Sequence, residues 1–578
     1  MNSGAAVARL LPRDLEMPVS QLKAAVKRHG KHYTPPALAD FLARRVLEQF
    51  LGSDRTSLRI LDPACGDGEL LFAVNRVAER LLPNHAISLV GYDLDGDAID
   101  LARERASELG IAADWHQGDF LQTGRTLSSG SFDAIITNPP YVRTQQLGHE
   151  TAQLLASEFR LTGRIDLTHP FVVMMPPLLR QGGIVGLLCS NRFLTTKAGA
   201  NMRRVFQTSL DPLEIYDLGD TKLFSAAVLP AIVIAANRSP QESEICSFSS
   251  AYVSEDPSIA DGGSLFEALT ANHDAVISHE DRTINVRVGT LVRSLSTAEP
   301  WRAAYASSDD WLEKIQAATW RTFGDIAKIR VGIKTTADRV FISDCWDSVS
   351  PAPESELLLP LITHDNVTPW QVSEHLGTKV LYPYDLSREK RTLVEMKRYP
   401  SAMAYLESHG EQLKGRRYVV EGGRQWFEIW VPHKPSMWKI PKIVFPDISA
   451  DARFAIDRSG AVVNGDCYWI SLADIGSEEI ALLMLGVANS SLGKRFYDEV
   501  CGNKLYSGRR RWMTQYVSRL PLPDPQTDVA SQLIRATRKL VESGLAPNQS
   551  DLERIDELVD AAFAEPVRGG EQSPTTLF

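Results

Sequence analysis

The tetrapeptide Asn138-Pro139-Pro140-Tyr141 combines residue types that can hold a planar amino or amide group. The side-chain oxygen of Asn138 and the backbone carbonyl of Pro139 are two acceptors, and proline restricts the backbone that carries the second one. Acceptors fixed in this way draw the hydrogens of an aromatic amino group toward tetrahedral geometry, which frees the nitrogen lone pair for attack on a methyl donor. Tyr141 can stack on the substrate ring. The motif predicts nitrogen methylation without a strong general base. The alternative is that the tetrapeptide has only a structural role, as a rigid turn.

A glycine turn, Asp62-Pro63-Ala64-Cys65-Gly66-Asp67-Gly68, lies upstream of this motif and follows a short apolar run. The turn lacks the GxGxxG spacing of a dinucleotide site and contains acidic residues instead. Acids beside a glycine turn suit a cationic ligand without phosphate, and S-adenosylmethionine carries a sulfonium and an ammonium group. We predict that Asp62, Ala64, Gly66 and Gly68 bind this cofactor.

Two further acids stand where the rest of such a ligand would need them. Asp93 ends a second predicted strand, where its carboxylate can accept hydrogen bonds from both ribose hydroxyls. Asp119 can accept from the adenine amino group, and Phe120 can cover the adenine ring. Three acids in order at strand ends therefore predict a complete cofactor site.

The segment His32-Tyr33-Thr34-Pro35-Pro36 precedes the glycine turn. It is consistent with a helix start, in which Thr34 caps the helix and Pro35 occupies its first position. Its functional interpretation is that Tyr33 and Thr34 fold over the methionine end of the cofactor.

Apolar runs alternate with helix-like stretches from residue 58 to 240. The predicted strands are 58–62, 87–91, 132–137, 184–189 and 231–235, and the predicted helices include 69–82 and 98–109. This alternation predicts an α/β fold with a doubly wound, mostly parallel sheet, whose ligands lie beyond the carboxyl ends of the strands.

Composition divides the chain into four predicted parts. They are a cofactor-binding domain at 1–240, a linker rich in Ser, Asp, Gly and Pro at 241–310, a mixed α/β domain at 311–525, and a helical tail at 526–578. Tryptophan and tyrosine become frequent among Lys and Arg in the third part.

The order of these motifs resembles the gamma class of N6-adenine DNA methyltransferases, which carry a C-terminal target-recognition domain. The resemblance implies double-stranded DNA as the substrate and S-adenosylmethionine as the cofactor. It further implies cofactor contacts by Thr34, Asp62, Asp93, Asp119 and Asn138. Binding of the target amino group falls to Asn138 and Pro139, and the flipped adenine would lie between Tyr141 and Phe224. Flipping is required because an amino group inside a duplex cannot reach a buried methyl donor.

Two basic runs contain aromatic residues, although the whole chain has a net charge of −10. Such mixtures suit contacts to phosphates and base edges, while the commoner interpretation of a single basic run is a solvated face. The candidate DNA-binding residues are Lys414, Arg416, Arg417, Lys504, Arg509, Arg510 and Arg511.

The six cysteines do not have the spacing of a zinc site, so no metal site is expected. No apolar run is long enough to suggest a membrane span. The N-terminal segment does not resemble a signal peptide. These features predict a protein of a reducing cytosol, which the resemblance implies is bacterial or archaeal. About 30 residues precede Tyr33, too few for a nuclease domain, so a fused nuclease is not expected. A separately encoded restriction endonuclease, or none, fits equally.

Three alternatives remain open on the sequence. A protein-glutamine methyltransferase shares the glycine turn and the Asn138-Pro139-Pro140-Tyr141 motif, because a glutamine amide is also planar, but such enzymes are much shorter. An RNA-base methyltransferase is the second alternative. The third is a DNA-binding module without activity, which the intact tetrapeptide disfavours.

Overall fold

The structure is a computed structural model. It describes residues 34–142, 149–223, 229–240, 245–254, 263–293, 296–297, 299–501, 508–564 and 567. It contains two compact units, of which the first ends at Ala306 and the second begins at Ser307.

One large sheet organises the first unit. Its strands are Ser57–Asp62 (β1), Ala86–Asp93 (β2), Ala113–Gln117 (β3), Phe132–Thr137 (β4), Leu179–Ser190 (β5), Asp211–Asp217 (β6), Pro230–Ala236 (β7), Ser247–Val253 (β8), Ala275–His279 (β9), Arg282–Val292 (β10) and Arg302–Ala304 (β11). Their order is β3-β2-β1-β4-β5-β7-β6-β8-β10-β11, with β9 paired to β10. The strands from β3 to β5 are parallel, and β7 runs antiparallel between β5 and β6. The predicted α/β class with a mostly parallel sheet is confirmed.

Helices cover both faces of this sheet, because its central strands bury side chains on both sides. The helices are Pro36–Glu48 (α1), Glu69–Leu81 (α2), Gly96–Leu109 (α3), Phe120–Thr123 (α4), His149–Glu158 (α5), Thr168–Leu178 (α6), Arg192–Thr195 (α7), Ala200–Thr208 (α8) and Leu265–Thr270 (α9). Leu58 and Ile60 of β1 pack in one core with α1 and α2, whereas Leu61 packs in the other core with α6 and α8.

The predicted linker at 241–310 differs from the structure, which places β8 to β11 and α9 there and extends the first unit to Ala306. The serines that gave the segment a linker composition are in part buried strand residues. Ser249 and Ser250 of β8 are both buried, and the Ser250 hydroxyl lies 2.8 Å from the Tyr305 hydroxyl. A polar side chain satisfied inside a sheet cannot be distinguished by composition from one in a loop.

The second unit combines small sheets with helices, as the predicted mixed α/β class requires. Its strands are Arg321–Thr322 (β12), Ile329–Val331 (β13), Ile342–Ser343 (β14), Leu358–Ile362 (β15), Val367–Thr368 (β16), Gln371–Val372 (β17), Lys379–Leu381 (β18), Lys442–Pro446 (β19), Ile448–Ser449 (β20), Ala455–Asp457 (β21), Val462–Val463 (β22), Cys467–Ser471 (β23), Arg510–Arg511 (β24) and Pro521–Leu522 (β25). Two four-stranded sheets have the orders β13-β23-β19-β21 and β14-β18-β15-β22.

The helices of the second unit pack largely around its own core. They are Ala306–Ala317 (α10), Phe323–Ile326 (α11), Asp338–Phe341 (α12), Pro400–Ser408 (α13), Gly410–Lys414 (α14), Arg417–Glu421 (α15), Leu472–Ile475 (α16), Glu478–Ala488 (α17), Ser491–Cys501 (α18), Thr514–Val517 (α19), Asp528–Ser543 (α20) and Gln549–Ala562 (α21). The helices α20 and α21 bury Leu533 and Ile555 in the same cluster as α17, so the part predicted as a tail belongs to this unit. Residues 568–578 lie outside the described residues.

Over the described part of the chain, no helix is both long enough and apolar enough to cross a membrane. The same residues contain no group of three or more His, Cys, Asp or Glu side chains placed to hold a metal ion.

Candidate functional site

A pocket lies where the strand order of the large sheet reverses, between β1 and β4, which is where ligands bind in doubly wound sheets. Asp62 ends β1 and Asn138 follows β4, and these parallel strands are direct neighbours. The predicted site residues that line the pocket are Thr34, Asp62, Ala64, Gly66 and Asn138. Three segments that are distant in the sequence therefore meet at this pocket.

The glycine turn has a backbone that only glycine adopts easily. Gly66 and Gly68 have φ angles of 53° and 86°. A Cβ on Gly68 would also lie 2.8 Å from the Trp115 ring and 2.9 Å from the Phe72 ring. Helix α2 begins at the next residue, so the turn carries the chain directly from the end of β1 into the helix.

The Asp62 carboxylate is fully buried beside the pocket and lacks one hydrogen-bond donor. Its Oδ1 accepts from the Ala64 N–H at 3.0 Å, whereas no described residue donates to its Oδ2. Burial, with a smaller effect of the negative charge of Asp93, raises the pKa of Asp62 to about 7, although the Ala64 N–H and the nearby Thr137 side chain act to lower it. A ligand group that is cationic and donates hydrogen bonds would complete this carboxylate.

Asp93 connects the glycine turn to the end of β2. Its Oδ2 accepts from the Gly66 N–H and its Oδ1 from the Asp95 N–H, both at 2.8 Å. The carboxylate is half-buried, so one role visible in the structure is to hold the turn. Its predicted contact with ribose hydroxyls stays a prediction.

Asp119 and Phe120 lie beyond the end of β3. Asp119 caps α4 by accepting from the Leu121 N–H at 3.0 Å, and its second oxygen is buried without a donor among the described residues. Burial raises its pKa. Phe120 is 3% exposed and packs against Tyr92 and Phe171, with ring centroids 5.3 and 6.2 Å away. The structure thus shows Phe120 as a core side chain, and its predicted cover over an adenine ring is not tested.

The Asn138 amide is fixed by hydrogen bonds on both sides. Its Nδ2 donates to Thr34 Oγ1 at 3.1 Å, and its Oδ1 accepts from the Tyr141 hydroxyl at 2.6 Å. Tyr141 is buried, and burial raises its pKa well above the usual value, so its hydroxyl remains a donor. The amide oxygen is therefore held in one place.

The backbone of the tetrapeptide is anchored from the start of α6. The Thr168 hydroxyl lies 3.4 Å from the Pro140 carbonyl, and the Leu167 N–H donates to the Val142 carbonyl at 2.9 Å. No described residue donates to the Pro139 carbonyl. This carbonyl is the second acceptor that the sequence predicts.

Sequence reasoning missed the contribution of Arg105 and Glu69 to the pocket. Arg105 pairs with the carboxylates of Asp67 and Glu69, and its guanidinium lies 4.9 Å from the centre of the Phe72 ring. Asp67, Glu69 and Cys65 line the pocket but were not expected to matter. The sequence feature that could have indicated this contribution is the position of Glu69 in the first turn of α2, directly after the glycine turn. Because Arg105 compensates these two acids, Asp62 is the pocket carboxylate left without a cation.

The candidate DNA-binding arginines of the second unit fall into two classes, and the first is buried. Arg416 donates to the carbonyls of Thr335 and Trp426 at 2.8 and 2.7 Å. Arg510 is 1% exposed and is held by the Asp498 carboxylate at 2.7 Å. Both guanidinium groups are bound within their own unit, which departs from the predicted DNA contacts.

The second class is exposed. No described residue pairs with the side chains of Arg417 and Arg509, and Lys414 lies 5.3 Å from the centre of the Trp426 ring. Arg511 is intermediate, half-buried and paired with Asp447 at 3.0 Å. The remaining predicted residues, Tyr33, Phe224 and Lys504, lie outside the described residues.

Comparison with known proteins gives matches along most of the chain. A family model described as the Eco57I restriction-modification methylase matches residues 88–224. The chain is 37% identical to the type II methyltransferase M.BanIII of Aneurinibacillus aneurinilyticus over 568 residues, which cover 94% of this chain and 97% of that protein. It is 24% identical to the type II methyltransferase M.BstVI of Geobacillus stearothermophilus, over 92% of this chain and 95% of that one. The chain also resembles the solved structure of the type IIL restriction-modification enzyme MmeI in complex with DNA, with a TM-score of 0.54 over 96% of this chain and 75% of that chain. The sequence identity is 12%, so this similarity concerns the fold alone.

Proposed function

The chain belongs to the family of type II restriction-modification methyltransferases, and from this premise we propose that it transfers a methyl group from S-adenosylmethionine to N6 of a flipped-out adenine in double-stranded DNA. The observation that carries the proposal is the Asn138 amide, held between Thr34 and Tyr141. Next to it, the Pro139 carbonyl accepts no hydrogen bond from a described residue.

The cofactor assignment is supported by the acceptors along the sheet edge. The neighbouring strands β1, β2 and β3 present Asp62, Asp93 and Asp119 in that order at or just after their carboxyl ends. Asp62 and Asp119 each keep a buried oxygen without a donor among the described residues. These residues fit an elongated ligand with an ammonium group at one end and an amino group at the other. When bound, S-adenosylmethionine supplies an electrophilic methyl group.

The target amino group would be held by the tetrapeptide. Asn138 Oδ1 and the Pro139 carbonyl accept its two hydrogens, so the nitrogen lone pair turns out of the plane of the ring toward the methyl donor. Thr34 prevents the amide from rotating, because it accepts from Asn138 Nδ2. Positioning of this kind is worth several kcal/mol of barrier height without a titrating base.

DNA is favoured over the alternative substrates. The match to type II methyltransferases extends through the second unit, whereas methylation of a glutamine amide or a single RNA base does not require that unit. The exposed Arg417 and Arg509, which have no charge partner among the described residues, are suited to phosphates. A separately encoded endonuclease acting at the same sequence belongs to the proposal as its cellular context.

Sequencing that detects modified bases tests the proposal. DNA from cells that express this chain should contain N6-methyladenine in one short sequence, and cells that express Asn138→Ala should lack it. The matched control is Asn75→Ala, which changes an asparagine outside the pocket whose amide donates to Glu79 on the same helix. If both the parent chain and Asn138→Ala give unmodified DNA, the proposal fails, and labelled cofactor with fractionated protein and RNA identifies the actual substrate.

A further inference from the structure

The short helix α15 of the second unit exposes an unusual set of side chains. Arg417, Tyr418, Val420 and Glu421 are exposed, and Val419 is buried. Tyr418 and Val420 are 44% and 47% exposed. With 100° between successive residues, the four exposed side chains form one continuous face opposite Val419. Tyr418 and Val420 lie at the two edges of this face, about 160° apart around the helix axis, with Arg417 and Glu421 between them. An exposed face that combines apolar and charged side chains is suited to contact with a partner.

Contacts from neighbouring residues of the second unit hold this helix in place. Arg416, directly before the helix, is buried and donates to the carbonyls of Thr335 and Trp426. The Tyr418 ring packs edge-on against Trp430, with centroids 5.1 Å apart and planes at 84°. The Arg424 guanidinium lies 4.7 Å from the centre of the Trp430 ring. Rigid support lowers the entropic cost of binding a partner, so the helix is pre-organised for recognition.

The charges on and beside α15 indicate the kind of partner. Arg417 and Lys414 are exposed, and neither is paired with a carboxylate among the described residues. Cations beside exposed apolar side chains suit phosphate contacts next to a base. Glu421 is also exposed and has no cation partner in the described part of the chain. A carboxylate repels phosphate, but it can accept from the amino group of cytosine in the major groove.

We propose that α15 contacts base edges in the recognition sequence of double-stranded DNA. Tyr418 and Val420 contact bases or thymine methyl groups, Glu421 accepts from a base amino group, and Lys414 and Arg417 bind phosphates. This assignment rests on the proposed DNA methylation and adds to it the element that determines which sequence is methylated.

The test uses the full-length chain and first establishes the methylated sequence of the parent by modified-base sequencing. Glu421→Gln, Tyr418→Ala and Arg417→Ala are then compared with Leu545→Ala, which alters a 71% exposed leucine elsewhere in the unit, and with Arg554→Ala, an exposed arginine. Thermal unfolding shows whether each variant is folded. Glu421→Gln keeps the test valid if Tyr418→Ala does not fold, because Glu421 is exposed and unpaired.

The expected result separates base contacts from phosphate contacts. Glu421→Gln and Tyr418→Ala should lower the discrimination between the parent sequence and its single substitutions by about 5- to 150-fold at one position, which corresponds to a good base contact. Arg417→Ala should weaken binding to matched and scrambled duplexes alike and reduce the salt slope by about one. The two controls should match the parent.

Two results would overturn the assignment. One is that both Glu421→Gln and Tyr418→Ala methylate the parent sequence with unchanged discrimination. The other is that these variants lose only the binding of a co-expressed protein, which would make α15 a protein interface. A parent chain that methylates no DNA is a separate result, because it refutes the proposed function before any α15 variant is compared.

Discussion

Asp62 and Asp217 are two buried carboxylates at the same edge of the large sheet, and they differ in their hydrogen bonds. Asp217, at the end of β6, accepts from Asn191 Nδ2 at 3.0 Å, from the Gly219 N–H at 3.2 Å and from the Tyr252 hydroxyl at 2.7 Å. Asp62, at the end of β1, accepts from one backbone N–H, and no described residue donates to its second oxygen. Burial raises the pKa of both.

The difference separates a structural carboxylate from a binding one. A buried acceptor without a donor costs about 1–3 kcal/mol of stability, so it is expected where a ligand supplies the missing donor. The hydrogen bonds of Asp217 instead hold the chain that follows β6, where Asp220 also accepts from the Val253 N–H at 2.8 Å. A Cβ on Gly219 would lie 2.2 Å from the Ala251 carbonyl, which shows how closely this segment packs on β8.

The largest expected effect contrasts the asparagines on the two sides. Asn138→Ala should lower the single-turnover rate of methyl transfer by about 10²-fold or more, because it removes one of two acceptors for the target amino group. Its cofactor dissociation constant should change little, although the buried Tyr141 hydroxyl loses its acceptor. Asn191→Ala should instead lower the free energy of unfolding by about 1–3 kcal/mol, since Asp217 loses a donor. Urea titration and labelled-cofactor kinetics measure both, and a reversed pattern would refute the comparison.

The next largest effect is that replacing the two aspartates by asparagine changes the free energy of unfolding in opposite directions. At pH 8, Asp62→Asn should raise the free energy of unfolding by about 1–3 kcal/mol, because it removes a buried charge without enough donors. The same change should weaken cofactor binding at least about tenfold, since a charge-assisted hydrogen bond to the ammonium group is lost. Asp217→Asn should lower the free energy of unfolding by a similar amount. If both variants are destabilised equally, Asp62 is a structural residue like Asp217.

The sequence predicted the parts of this comparison that depend on local pattern. The strand before Asp62, the glycine turn and the strand before Asn138 follow from apolar periodicity and turn chemistry, and doubly wound topology places their ends together. The strands β8 to β11 were not predicted, because buried serines resemble loop residues by composition. That Asn191, Asp217 and Tyr252 meet was also not visible, since they are joined only through the order of β5, β6, β7 and β8.

The arginines of the second unit show the same limit. A basic run predicts charge at the surface, and it does so correctly for Arg417 and Arg509. Whether a guanidinium is buried depends on acceptors supplied from elsewhere in the chain, such as the Thr335 carbonyl for Arg416. No feature within the run distinguishes these cases.

The smallest expected effect is a pH dependence carried by Asp62. Its pKa of about 7 lies well above the ordinary value of 3.8, so the folded chain without ligand holds this proton more tightly than the unfolded chain does. The contribution of Asp62 to the free energy of unfolding is therefore full below the unfolded pKa and falls as the pH rises through about 7. Cofactor binding should show the opposite trend, because the ammonium group prefers the ionised carboxylate.

Between pH 6 and pH 8, cofactor affinity should therefore rise by up to about tenfold, and binding near pH 7 should release protons. Calorimetry in buffers of different ionisation enthalpy measures both quantities on the purified chain. Asp62→Asn should remove the pH dependence, whereas Asp217→Asn should retain it, because Asp217 is not among the residues that line the pocket. If the pH dependence of cofactor binding remains in Asp62→Asn, another group titrates. Asp119 is the first candidate, because burial raises its pKa as well and its second oxygen has no donor among the described residues.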